Sequence, residues 1–286
     1  MLRVAPCTAL LLTLLVGAAQ AQPRLNLHPS PVRQGQSLLA RVELDASAPT
    51  DGACHWNGKQ YPLYPNGARL EALLPVGYGI APGSRKVAVD LTVDGATVHL
   101  ERTVTVRRTD FGVQRLRMKA STQALYDDPM VEEESRLIGE AKARRSPLRL
   151  WNAPFLKPCP GRISTRYGLL RSINGKPAYR HRGVDIAAPR GTPIRAAETG
   201  TVTLARTDFR LHGKTVVLDH GHGVCSLYIH LDSIAVEPGD TVRRGQVIGR
   251  VGSTGASTGP HLHWGLYVQG DAVDPLFWTT WSAGGQ

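Results

Sequence analysis

The sequence predicts a mainly β protein: an N-terminal β-sandwich of immunoglobulin-like outline, a connector with one helix, and a C-terminal antiparallel β domain. Three observations lead there. Short runs that alternate apolar and polar residues recur in both halves, and alternation marks a half-buried strand. Glycine and proline are dense, 30 and 20 in 286 residues, and punctuate those runs as turns. Helix signals concentrate in one stretch, which opens at Asp127-Asp128-Pro129-Met130.

In chain order, residues 1–21 read as a secretory signal, with Arg3 as the positive start, Ala9 to Ala18 as a leucine-rich apolar core and Ala19-Gln20-Ala21 as a small-x-small cleavage site. The apolar stretch is short of the roughly 20 residues a spanning helix needs. An exported protein is therefore expected, in the periplasm or outside the cell, without stable membrane insertion after cleavage. Residues 22–107 carry the sandwich strands: Leu38 to Leu44, Lys86 to Val93, Thr97 to Leu100 and Thr103 to Val106, with an Asp94-Gly95 hairpin signal. Residues 108–158 form the connector. Its helix is capped by Asp127 or Asp128, with Pro129 in the first turn and Val131, Leu137, Ile138 and Ala141 as a narrow apolar stripe, and it ends before Pro147. Glu132, Glu133 and Glu134 near its start, with Lys142, Arg144 and Arg145 near its end, complement the helix dipole on a solvated helix. Residues 159–280 hold further short strands around Val184, Thr201, Thr215, Leu227 and Gln246.

Charge and cysteines bound the function. Against 23 acidic residues stand 34 Lys and Arg, giving +11, and a basic surface favours polyanions such as nucleic acid, anionic lipid or an acidic wall polymer. Zinc-finger spacing, Lys/Arg-rich runs and aromatic-interleaved basic blocks are missing from the sequence, so nucleic acid is not an expected partner. Cys54, Cys159 and Cys225 remain after signal cleavage. The number is odd, and Cys159 and Cys225 are either a pair or buried free thiols.

Seven of the ten histidines fall between His181 and His263. In a strand, His261 and His263 share a face and Leu262 points away. In His181-Arg182-Gly183-Val184-Asp185 strand spacing likewise brings positions i and i+4 together. An imidazole and a carboxylate suit zinc, and one more histidine completes three protein ligands with a fourth position left for water. His230 alternates with apolar neighbours and is expected to face opposite to Ile229. Asp219-His220-Gly221-His222-Gly223 reads as a tight hairpin turn in preference to a second metal site. His28, His55 and His99 read as structural or surface residues.

The segments His181-x-x-x-Asp185, Tyr228-x-His230-Leu231 and Thr254-Gly255-x-Ser257-Thr258-Gly259-Pro260-His261-Leu262-His263-Trp264 resemble the lysostaphin/LytM-type zinc metallopeptidases. So do His181 to Pro193 and Gly239 to Gly249, and the likeness runs from about Gly161 to Phe277. The resemblance implies a β-rich peptidase domain with one Zn2+ in a groove, held by His181, Asp185 and His263. It implies His230 and His261 as the two catalytic histidines. One is expected to help deprotonate or orient water and the other to stabilise the oxyanion or leaving amine, with the assignment left open. Tyr179 and Arg180, just before His181, are candidates for the oxyanion or for the groove wall. Gly265 departs from the pattern, since many relatives carry Glu there. The implied function is hydrolysis of peptide cross-links in bacterial peptidoglycan, with its peptide stems as partner. A non-catalytic wall-binding or amidase-activating protein of the same fold is the alternative.

Overall fold

The alternating runs of the N-terminal part pair into two sheets. One has the order Arg24–His28, Ser37–Glu43, Arg69–Pro75, Tyr64–Asn66, and the other Val32–Arg33, Ala96–Arg107, Gly83–Val93, Asp51–Trp56, Lys59–Pro62. Their inward residues, among them Val32, Leu38, Trp56, Leu74 and Val89, form one buried core, as two half-apolar sheets require. The computed structural model describes residues 23–44, 51–93, 95–117 and 124–283. The predicted signal at 1–21 lies outside them, as does Asp94 of the expected hairpin.

Two expectations change here. Thr97 to Leu100 and Thr103 to Val106 belong to one strand, Ala96–Arg107. Val98, Leu100, Val104 and Val106 all keep the same phase, so the strand runs on through exposed Arg102 without a change of register. The connector also contains a strand, Val113–Leu116, which pairs in parallel with Leu170–Ile173. Leu170–Ile173 then pairs antiparallel with Lys176–Arg180.

The C-terminal strands form a ten-stranded sheet whose main path runs Arg162–Thr165, Val184–Ala187, His261–Val268, Val224–Ile234, Lys214–Asp219, Gly200–Arg206, Thr241–Val242. The connector helix spans Pro129–Lys142, with Pro129 in its first turn and the Asp128 side chain accepting from the Met130 N–H at 2.9 Å. Among the described residues, no helix is long and apolar enough to cross a membrane.

Lys214–Asp219 and Val224–Ile234 are joined by the expected turn at 219–223, with His222 and both glycines at positive φ. His220 is fully buried there: its Nδ1 bonds the Thr199 carbonyl at 2.8 Å and its Nε2 lies 2.7 Å from Ser226 Oγ. His222 turns elsewhere, to the Pro147 carbonyl and to a stacked contact with Tyr64. Cys54, Cys159 and Cys225 are all free and buried.

The two halves share packing. Leu39 and Leu73 of the sandwich join Trp151, Phe155, Trp278 and Trp281 in the main core, and Trp278 Nε1 donates to Ser37 Oγ at 3.0 Å. Buried Glu71 of the sandwich pairs with Arg41 at 2.8 Å and with Arg149 of the connector at 3.2 Å.

Burial pulls the His220 imidazole down to about 4. The unfolded chain takes up this proton near 6.5, so between about 6.5 and 4 it binds more protons than the folded chain. The contribution is therefore complete above 6.5 and declines as pH falls. Urea unfolding at pH 7 and pH 5 is expected to show a loss of roughly 1–2 kcal/mol from this residue. His220→Gln should show a correspondingly smaller drop between the two pH values; an equal drop would contradict the assignment.

Candidate metal centre and groove

Three donor atoms meet at one point. His181 Nε2, His263 Nδ1 and Asp185 Oδ1 lie 2.9 Å from one another in every pairing, and all three residues are buried. Strand pairing sets two corners, because Asp185 and His263 are direct cross-strand partners. The third corner arises differently from the expectation. His181 is not in a strand: it follows Lys176–Arg180 and precedes Val184–Ala187. A short turn, not a shared strand face, brings it to Asp185. That turn needs Gly183, where a Cβ would sit 2.5 Å from the Trp264 carbonyl oxygen and 2.8 Å from His263 Nε2.

The chemistry of this triangle favours a cation. His181 Nδ1 donates to the Arg166 carbonyl at 3.1 Å, so in the neutral ring Nε2 presents a lone pair to the cluster. Burial pulls His263 down to about 4. Burial pushes the Asp185 carboxyl up, but the facing imidazoles of His181 and His263, wherever they carry a proton toward it, outweigh burial and hold it well below the usual carboxylate range. A carboxylate oxygen and two imidazole nitrogens thus converge on one point. Two nitrogens and one oxygen are a donor set suited to zinc with an open fourth position.

His230 and His261 lie beside this cluster, their ring centroids 4.8 Å apart. Nδ1 of His230 donates to the Thr254 carbonyl and Nδ1 of His261 to the Gly259 carbonyl, each at 2.8 Å. Both neutral rings therefore keep a lone pair on Nε2. Burial, followed by the neighbouring His261 and His263, pulls His230 down to about 3, so it is an unprotonated imidazole at neutral pH. The expectation that His230 faces opposite to Ile229 is corrected: both line the same cavity of about 710 Å³. His230 has φ +66° and sits where the pairing with Lys214–Asp219 shifts register. A left-handed residue at such an irregularity breaks alternation and redirects the side chain.

Tyr179 and Arg180 also line this cavity. The Tyr179 hydroxyl is 3.0 Å from the Tyr126 hydroxyl and accepts from Arg171 Nη1 at 3.0 Å, while Arg180 Nη1 donates to the Gly168 carbonyl. Two functional neighbours escape sequence reasoning. Arg171 Nη2 donates to Asp185 Oδ2 at 2.7 Å, so one carboxylate oxygen serves the histidines and the other the guanidinium. Nothing in the local pattern marks Arg171 among the many basic residues.

Glu134 is the second, and it corrects the reading of the three glutamates as a solvated face. It is 3% exposed, and its carboxylate accepts from the backbone N–H groups of Arg210, Leu211 and His212 and contacts His212 Nδ1 at 2.9 Å. Glu134, Ile138 and Ala141 share the buried helix face. The signal was present: spacings of three, four and three place Val131, Glu134, Ile138 and Ala141 on one stripe.

Residues 179–275 match the sequence model of Peptidase family M23. This region is a Peptidase family M23 domain. It is 46% identical over 96 residues to the DD-carboxypeptidase/endopeptidase Mpg of Neisseria meningitidis serogroup B, and 43% identical over 96 residues to the peptidoglycan DD-endopeptidase ShyA of Vibrio cholerae. Each match covers 34% of this chain and 22% of the relative, so the chain spans well under half of those proteins. The solved structure of a protein assigned to peptidase M23 from Pseudomonas aeruginosa is similar over 87% of this chain and 94% of that one, with 29% identity and a TM-score of 0.64.

Two variants probe the neighbours of the site. Arg171→Met leaves a buried carboxylate oxygen without its cation and is expected to weaken metal-ion binding about 10–100-fold, with Zn2+ as the probe in a competition titration; unchanged affinity would remove Arg171 from the assignment. Glu134→Gln is expected to cost about 1–3 kcal/mol in chemical unfolding and to speed hydrogen exchange at Arg210, Leu211 and His212. Unaltered exchange there would show that the carboxylate does not hold the loop.

Proposed function

We propose that the protein is an exported zinc metalloendopeptidase that hydrolyses peptide cross-links of bacterial peptidoglycan. The observation that carries this reading is the convergence of His181, Asp185 and His263, with His230 and His261 beside them in one groove of an M23 peptidase. When bound, zinc supplies Lewis acidity toward a peptide carbonyl and brings the ionisation of water toward neutral pH. His181, Asp185 and His263 hold it, and Arg171 fixes the carboxylate. His230, unprotonated at neutral pH, can accept a proton at Nε2, and His261 has the same tautomer available. One serves as base toward water and the other meets the developing oxyanion or the leaving amine. Tyr179, anchored by Arg171 and Tyr126, stands at the groove as a further hydroxyl for the oxyanion. The names of Mpg and ShyA support a DD-cross-link as substrate, and the basic chain suits an acidic wall polymer. A periplasmic address rests on the signal-like segment 1–21. The complete set of three candidate ligands disfavours a purely wall-binding or amidase-activating role.

Mature, zinc-loaded protein is expected to release cross-linked muropeptides from purified sacculi, read by mass spectrometry, and to lose this activity to a chelator. His263→Ala is expected to lose both zinc and turnover. His230→Asn, chosen because asparagine tolerates positive φ, and His261→Ala are expected to keep zinc while turnover falls about 10²–10⁴-fold. Intact cross-links after incubation with the zinc-loaded chain would sink the proposal.

A further inference from the structure

The strand His261–Val268 continues past the cluster. By strand alternation His261, His263, Gly265 and Tyr267 share one face, and His261, His263 and Tyr267 all line the 710 Å³ groove. Gly265 leaves its place on that face empty of side chain. A Cβ there would lie 2.9 Å from Tyr267 Cε2 and 3.3 Å from the Tyr267 hydroxyl, so the Tyr267 ring folds back over the glycine.

Two cations join Tyr267. The Lys142 ammonium, at the last residue of the connector helix, sits 4.0 Å from the Tyr267 ring centroid. Arg182, in the turn beside His181, is exposed. Burial, together with the like charge of Arg182, pulls Lys142 down to about 8, so the two cations feel each other and Lys142 remains largely charged at neutral pH. The same three residues border a second cavity of about 370 Å³, whose other wall includes Asn57, Tyr61 and Tyr78 of the sandwich. They therefore form a sill between the groove and that cavity.

No acidic group among the described residues answers this charge. Among the described residues, neither Lys142 Nζ nor the Arg182 guanidinium has an ion-pair or hydrogen-bond partner, and the Tyr267 hydroxyl has none either. The acidic residue of the second cavity, Asp271, is paired with Lys59 at 3.0 Å. Two cations and one hydroxyl left without acceptors at the end of a substrate-sized groove make a site for an anion that arrives with the ligand.

We propose that Lys142, Arg182 and Tyr267 form a carboxylate-binding subsite at the far end of the groove, which captures a free carboxylate of the substrate peptide. From His263 to Tyr267 the strand advances four residues, about 13 Å. An extended peptide covers that length with about four residues. The carboxylate in question thus lies three to four residues from the bond cut at the cluster. This inference rests on the peptidase reading and adds to it a specificity element supplied partly by the connector helix.

The test uses two cross-linked peptide dimers that are identical except that this carboxylate is a carboxamide in one. The zinc-loaded full chain is expected to favour the carboxylate dimer at least about 10-fold in KM with similar kcat, the range of a charge-assisted contact. In Lys142→Met and in Arg182→Gln that preference should collapse toward unity. A wild-type chain without the preference, or variants that both retain it, would overturn the subsite. Calorimetric titration of the same dimers into the His261→Ala chain reads binding apart from turnover. Tighter binding of the carboxylate dimer by a wild-type chain that cuts neither would keep the subsite and overturn the peptidase reading. Equal binding together with turnover of both would do the reverse.

Discussion

The buried carboxylate of Asp185 is the group on which the candidate centre depends. One oxygen faces two imidazole nitrogens and the other faces Arg171. A buried carboxylate without partners is strongly disfavoured, so the guanidinium is part of what permits the charge to exist there. Its geometry in turn derives from backbone pairing. Asp185 sits opposite His263 across two strands, and Gly183 lets the preceding turn pass close enough for His181 to join them. The chain of dependence runs from a glycine without a Cβ, through strand register, to three donor atoms in contact.

The other wall depends on the connector. Glu134 holds the 210–212 backbone, and the His212 carbonyl accepts the His230 N–H at 3.1 Å. The helix is thereby linked through one loop to the histidine with the left-handed backbone. A conformation that costs on the order of 1 kcal/mol for a residue other than glycine persists only where its surroundings impose it. Here the Thr254 carbonyl, the His212 carbonyl and the register shift in Val224–Ile234 supply that imposition. The groove is consequently a joint product of the M23 region and a segment outside it.

How much of this was legible in the sequence varied with the physics involved. Period-2 alternation is a local rule, so it placed His261 and His263 on one face and marked strands in both halves. It failed at His230, where a bulge overrides alternation, and it joined His181 to Asp185 for the wrong reason, since a turn does the work. Glu134 was readable, because the stripe of Val131, Ile138 and Ala141 passes through it. Its charge led instead to a solvated reading. Arg171 was not readable at all: its partner lies fourteen residues on in a different sheet, and only the packing of the three-stranded sheet beside the ten-stranded one brings the two together. The two strands foreseen at Thr97 and Thr103 merged for a reason visible in their common phase, whereas Val113–Leu116 takes its strand character from a partner more than fifty residues away.

The tryptophans carry a consequence for what counts as one unit of this protein. The region that matches the family, 179–275, contains every candidate ligand and both spare histidines. Yet Trp151, Trp278 and Trp281, which pack edge to face around Phe155 and one another, lie outside it and close the main core against Leu39 and Leu73. A boundary drawn by family likeness therefore cuts through a solid interior. The smallest piece that keeps the candidate site and the smallest piece that keeps its interior sealed are different lengths of chain, and an excised 179–275 fragment would face water with an aromatic wedge missing from its back.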